Sequence, residues 1–178
     1  TLIEAKKTVA LEDGMTVIFY SANISMAMDS VANGAYLNAI APNTAAGDTL
    51  LIDDGVALMT VEVVEGGYRF KLGDNYLSYR GGRNTLVFEP LTDAVVTDET
   101  AGTTTDYTVF AVENGNALYC VNGDYDYNGN LNKLYLEAYG DHYTSYNCSD
   151  NTGAAFVFSF YTTSEVCDHV ANAGTVTT

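Results

Sequence analysis

The sequence predicts an all-β chain, and three observations carry that reading. Apolar stretches are β-branched and aromatic, several alternate with period two, and Gly and Asn clusters separate them while no long helical period appears. Val17-Ile18-Phe19-Tyr20, Thr60-Val61-Glu62-Val63-Val64, Tyr107-Thr108-Val109-Phe110-Ala111-Val112 and Phe156-Val157-Phe158-Ser159-Phe160-Tyr161 are the clearest strands. Ser21 to Ala32 is compatible with a short helix, although Met26 and Met28 fit a strand equally well.

These strands recur as one unit read three times. An acidic-x-Gly turn opens each unit before an aromatic strand: Glu12-Asp13-Gly14, Glu65-Gly66-Gly67 and Glu113-Asn114-Gly115. The second strands are Met26-Ala27-Met28, Tyr76-Leu77-Ser78 and Tyr135-Leu136-Glu137, and the third are Leu50-Leu51-Ile52, Leu86-Val87-Phe88 and Tyr143-Thr144-Ser145. Thr60 to Val63, Thr108 to Ala111 and Phe156 to Ser159 close the units, at a spacing of about 48 residues. Four strands taken three times is the count of a β-trefoil, which closes six strands into a barrel and caps it with three hairpins. A β-sandwich with regularly spaced turns is the alternative. The expected division is a linker stub over 1–12, one domain over 13–161 with repeats at about 13–64, 65–112 and 113–161, and a C-terminal tail or linker over 162–178.

The segment Tyr68-Arg69-Phe70-Lys71-Leu72-Gly73-Asp74-Asn75-Tyr76-Leu77-Ser78 resembles the strand–turn–strand hairpin of ricin-type trefoils. The third unit, with Leu134 to Tyr139, Tyr143 to Tyr146 and Ala154 to Tyr161, is similar to accessory modules of large secreted proteins from gut Gram-positive bacteria, some attached to nucleotidase- or nuclease-like enzymes. Val17 to Asn23 is similar to them too. Ricin-type lectins usually carry a Gln-x-Trp signature in each closing strand, and this chain has no tryptophan. The resemblance therefore implies an accessory module without naming its ligand.

Composition narrows the partners. Twenty-three acidic residues against seven basic ones give a formal charge of -16, which repels nucleic acid and anionic membranes. No apolar run approaches the roughly 20 residues of a spanning helix. The acidity suits solubility outside the cell, and cation binding by some carboxylates is the sharper alternative. Thr1 is no natural initiator, so an excised or processed piece of a larger, secreted or cell-surface protein is expected. Cys120, Cys148 and Cys167 match no zinc spacing; one disulfide, with Cys120–Cys148 the favoured pair, or three thiols both fit.

No nucleophile–base motif surrounds His142 or His169, so no catalytic residue is expected, although the many carboxylates keep a hydrolase open as the weakest alternative. Asp124-Tyr125-Asp126-Tyr127-Asn128-Gly129-Asn130 reproduces the first half of an EF-hand-type loop, with Asp124, Asp126 and Asn128 as candidate calcium ligands. Tyr135 stands where the closing Glu belongs, and an Asp/Asn/Gly hairpin turn explains the same residues. Tyrosines beside acidic turns couple a flat apolar ring to a polar tip, the combination that holds a sugar. Tyr125, Tyr127, Tyr139, Asp141 and Tyr143 in the third unit, with Tyr76 and Tyr79 in the second, are the candidate ligand-binding residues. Arg80 and Arg83 either clamp an acidic group or neutralise neighbouring carboxylates. The function expected is a non-catalytic module that binds a glycan or polysaccharide for the flanking domains of its parent; a structural or protein-interaction spacer is the rival.

Overall fold

The computed structural model describes residues 1–123, 125–148 and 153–163, the side chains of 125–127 excepted. In chain order the strands are β1 (Leu2–Thr8), β2 (Thr16–Ser21), β3 (Met26–Asn33), β4 (Tyr36–Ile40), β5 (Thr44–Ala46), β6 (Thr49–Asp53), β7 (Met59–Val64), β8 (Gly67–Leu72), β9 (Asn75–Ser78) and β10 (Val87–Glu89). A one-turn helix, α1 (Leu91–Ala94), leads to β11 (Val95–Asp98) and β12 (Thr103–Asp106). Then follow β13 (Phe110–Glu113), β14 (Ala117–Cys120), β15 (Tyr125–Tyr127), β16 (Asn130–Asn132), β17 (Leu134–Tyr139), β18 (His142–Asn147) and β19 (Ser159–Thr162). The chain is all-β, as the sequence predicts, and its ladders are antiparallel.

Six of these strands pair in a closed circuit. β2 pairs with β7, β7 with β8, β8 with β13 and β13 with β14. Ala117 then bridges Val157, just ahead of β19, and β19 returns to β2. The register repeats around the circuit, with Val61 opposite Phe70, Val112 opposite Leu118 and Phe160 opposite Phe19. The three opening turns repeat as well. Gly14, Gly66 and Gly115 all have positive φ, at 87°, 89° and 76°, a region where a side chain costs roughly 1–2 kcal/mol.

Three hairpins stand on the circuit. β3–β4 continues from β2, β9–β10 from β8 and β17–β18 from β14. They meet one another at their inner edges. Tyr143 lies opposite Leu37, the Leu86 N–H donates to the Ala35 carbonyl at 3.0 Å, and the Asn84 N–H donates to the Ser145 carbonyl at 2.5 Å.

Burial explains the sequence pattern of β2. Val17 and Phe19 enter the main core with Met59, Val61, Phe70, Phe110, Leu118 and Phe160, while Ile18 on the opposite face enters a second core. A strand covered on both sides reads as a continuous apolar run, which is what Val17-Ile18-Phe19 is. In the main core Phe19 meets Phe70 edge-on, with centroids 4.8 Å apart.

The second core corrects two expectations. Residues 1–12 are not merely a linker stub, because β1 pairs with both β19 and β6 and buries Ile3 and Ala5. Leu50-Leu51-Ile52 is not the third strand of the first unit. That place belongs to β4, while β6 joins β1 and buries Leu50 and Ile52 beneath them. The reason is local: β1 alternates Ile3 and Ala5 inward with Leu2, Glu4 and Lys6 outward, and β19 leaves it a strand edge to pair with. Ser21 to Ala32 contributes β3 and no helix. The β11–β12 ribbon was not foreseen, since its Thr- and Asp-rich sequence carries little apolar alternation. Of the expected tail, residues 164–178 lie outside the described residues. Cys120 is buried and Cys148 half-buried, and no disulfide joins the two; Cys167 lies outside the described residues.

Candidate ligand-binding cleft

In the β17–β18 hairpin, Glu137 stands opposite Thr144 and Tyr139 opposite His142. Cross-strand partners share a face and alternate residues repeat it, so Glu137, Tyr139 and His142 gather on one side. Leu136, Ala138 and Tyr143 fill the core on the other. Tyr36 enters from β4, its ring centroid 4.4 Å from that of His142. Asn84 enters from the turn between β9 and β10, fixed by its backbone bond to Ser145. Tyr146 completes the lining, with the Arg83 guanidinium 5.8 Å from its ring centroid and bonded to the Asn147 side chain at 3.4 Å.

These six residues line a cleft of about 430 Å³. Tyr36 comes from the first unit, Asn84 from the second and the remaining four from the third, so the cleft exists only where the three hairpins meet. Tyr139 is 64% exposed and presents a free ring at the rim. Burial raises the Glu137 carboxyl above the usual carboxylate range, partly offset by attraction from His142. Among the described residues no hydrogen-bond donor reaches that carboxylate. The His142 Nδ1 lies 3.3 Å from an Asp141 carboxylate that is itself 91% exposed. Flat rings beside a mixed set of acceptors and donors suit a hydroxylated, ring-shaped ligand.

Of the expected ligand-binding residues, Tyr139 lines this cleft and Asp141 stands beside it. Tyr143 does not reach a ligand: it is fully buried, and its hydroxyl donates to the Met26 carbonyl at 2.8 Å. Desolvation holds that phenol far from ionising. Tyr79 is also core, accepting from the Asn122 N–H at 2.8 Å. Tyr76 is nearly buried and donates to Glu62 at 3.1 Å, a pairing repeated by Tyr135 and Glu113 at 2.7 Å in the next unit. These tyrosines lie in the hairpin strands or directly after one and turn inward, so an acidic flank in sequence does not place a ring at the surface. The side chains of Tyr125 and Tyr127 lie outside the described residues.

The sequence reading missed Tyr36, Asn84, Glu137, His142 and Tyr146. Glu137 and Tyr139 share a strand face by period two, so that pair was detectable. Tyr36 and Asn84 reach the cleft only through contacts between units, and no local signal marks them.

For the calcium ligands, the backbone over 125–132 forms β15 and β16 around a two-residue turn, with Asn128 and Gly129 both at positive φ. Asn128 is exposed at that tip. Asp124 and the Asp126 side chain lie outside the described residues, and among the described residues no three His, Cys, Asp or Glu side chains gather as a metal site. A larger cleft of about 580 Å³ lies between α1, β11 and Tyr107. Its Arg80 is already committed to the buried Glu89, which leaves one ring and no unengaged cation to hold a ligand there. Comparison with protein families, curated proteins and solved structures returns no match for this chain.

Proposed function

We infer that the chain is a β-trefoil-like, non-catalytic module that binds carbohydrate for a larger extracellular bacterial protein, through the cleft where its three hairpins meet. The closed six-strand circuit, the repeated register and the three hairpins support the trefoil reading over a sandwich of two sheets. The observation that carries the ligand reading is the exposed Tyr139 ring beside Tyr36, Asn84, Glu137 and His142 in one cleft. A sugar lays its C–H face on such a ring while its hydroxyls exchange hydrogen bonds with the polar neighbours. Glycoside hydrolysis uses two carboxyl groups about 5–9 Å apart across the scissile bond. Among the described residues the cleft lining holds one, Glu137, which favours binding without turnover.

A glycan array followed by calorimetry on the best hit tests this. Tyr139→Ala should weaken binding at least tenfold without moving the melting temperature, since the ring is mostly solvent-exposed. Unchanged affinity in Tyr139→Ala would remove the cleft from the account. Silence across the array together with capture of a flanking domain would favour the interaction-spacer reading.

A further inference from the structure

Resting on the carbohydrate reading above, we propose that the cleft selects glycans bearing a free, protonated amino group, with the ammonium on Glu137 and the sugar ring across Tyr139. Three features converge on a cation. Glu137 is half-buried, lines the cleft and receives no hydrogen bond from any described residue, so its ionised form has lost water and gained in return only the charge attraction of His142. An ammonium group restores both terms at once, bringing three N–H donors and an opposite charge, whereas a hydroxyl brings one weaker donor.

The walls point the same way. Tyrosine rings present a negative π-face; Tyr36 packs against His142, Tyr139 lies opposite His142 in the hairpin, and both line the cleft with Glu137. Neither Arg83 nor His142 donates a hydrogen bond to the carboxylate, although His142 attracts it through space. Arg83 is stacked on Tyr146 and bonded to Asn147, and His142 is packed against Tyr36 with its Nδ1 turned to Asp141. Beyond the cleft, a chain with 23 acidic and seven basic residues attracts amine-bearing chains and repels carboxylated or sulfated ones. Among the described residues the lining holds a single carboxylate, so recognition is of one amino group beside one ring.

The test compares oligosaccharides of one length that differ only at nitrogen: chitosan oligomers with free amines, chitin oligomers with acetylated amines, and cello-oligomers with hydroxyls. Calorimetry in mildly acidic buffer, where the glucosamine amines are protonated, should rank chitosan first by tenfold or more, the factor a charge-assisted hydrogen bond carries in a partly buried site. Glu137→Gln should erase that preference while leaving the residual binding that Tyr139 supports. Glu99→Gln, an exposed acidic residue elsewhere, should change nothing. Equal or better binding of chitin or cello-oligomers overturns the amine preference and leaves the carbohydrate reading standing. A chitosan preference that survives Glu137→Gln is surface attraction and also overturns the assignment. No binding of any oligomer, with array hits confined to amine-free glycans, rejects the amine alone; an empty array rejects both.

Discussion

Gly67→Ala tests whether the strand circuit is closed where β8 meets β13. A Cβ on Gly67 would lie 2.2 Å from the Phe110 carbonyl oxygen, 2.9 Å from its carbon and 3.3 Å from the Ala111 nitrogen. Carbon–oxygen contacts settle near 3.3 Å, so the two strands must part by about 1 Å. The obstacle is backbone on both sides, and no rotamer change relieves it. That seam carries the Tyr68–Phe110 pairing between the first and second halves of the circuit. Overpacking of roughly 1–3 kcal/mol, with about 1 kcal/mol for each ladder bond weakened, gives a cost of about 3–4 kcal/mol. In a chain of this size that lowers the melting temperature by roughly 6–16 °C. Gly66→Ala is the internal control. Its φ of 89° strains an alanine by about 1–2 kcal/mol, but nothing lies within 4 Å of the added carbon. Urea unfolding of both variants, read at constant m, should show Gly67→Ala losing clearly more. If the two cost the same, β8 and β13 are not in contact as described and the circuit is open.

Further outcomes follow from the core and its ion pairs. Tyr143→Phe should cost about 1–2 kcal/mol in denaturant, because the part-buried Met26 carbonyl loses its donor, and should leave glycan affinity unchanged. Thr144→Val should stabilise by about 1 kcal/mol, since the Thr144 hydroxyl is buried without a hydrogen-bond partner among the described residues; a loss instead would reveal a satisfied hydroxyl. Asp106 is pushed up by burial, but the Thr108 hydroxyl and N–H and the Arg69 guanidinium outweigh this and hold its carboxyl below the ordinary range. With the folded value depressed, its contribution is complete above the unfolded value near 4 and fades as pH falls through the folded one. Asp106→Asn should therefore cost about 2 kcal/mol at neutral pH and progressively less in acid, measured as denaturation midpoints across a pH series.

The opening strands, closing strands and the second and third hairpins were legible because each is a local pattern. Aromatic and β-branched alternation marks Val17 to Phe19, Tyr68 to Phe70 and Ser159 to Tyr161, and glycine at positive φ marks the turns before the first two. The third closing strand was placed too early: Ala154–Phe156 is a 3-10 turn and β19 begins at Ser159. β4 and β6 were not separable by the same means, since Tyr36-Leu37 and Leu50-Leu51 are both short apolar runs. Which one joins β3 depends on the Ala27–Ile40 and Met28–Ala39 register, and which joins β1 depends on a strand more than forty residues away. Tyr143 and Tyr139 show the same limit within one hairpin. Both flank Gly140-Asp141, yet one is fully buried and the other is mostly exposed.

The sequence by itself determined an all-β, strongly acidic chain with a threefold echo, because strand propensity, period-two burial and glycine turns are properties of a few consecutive residues. Only the tertiary structure decided that the first strand packs a second core, and that Tyr36, Asn84 and the β17–β18 hairpin share one cleft. Those are meetings between units distant along the chain, fixed by which strand edges remain open once the circuit closes, and no window of sequence encodes them.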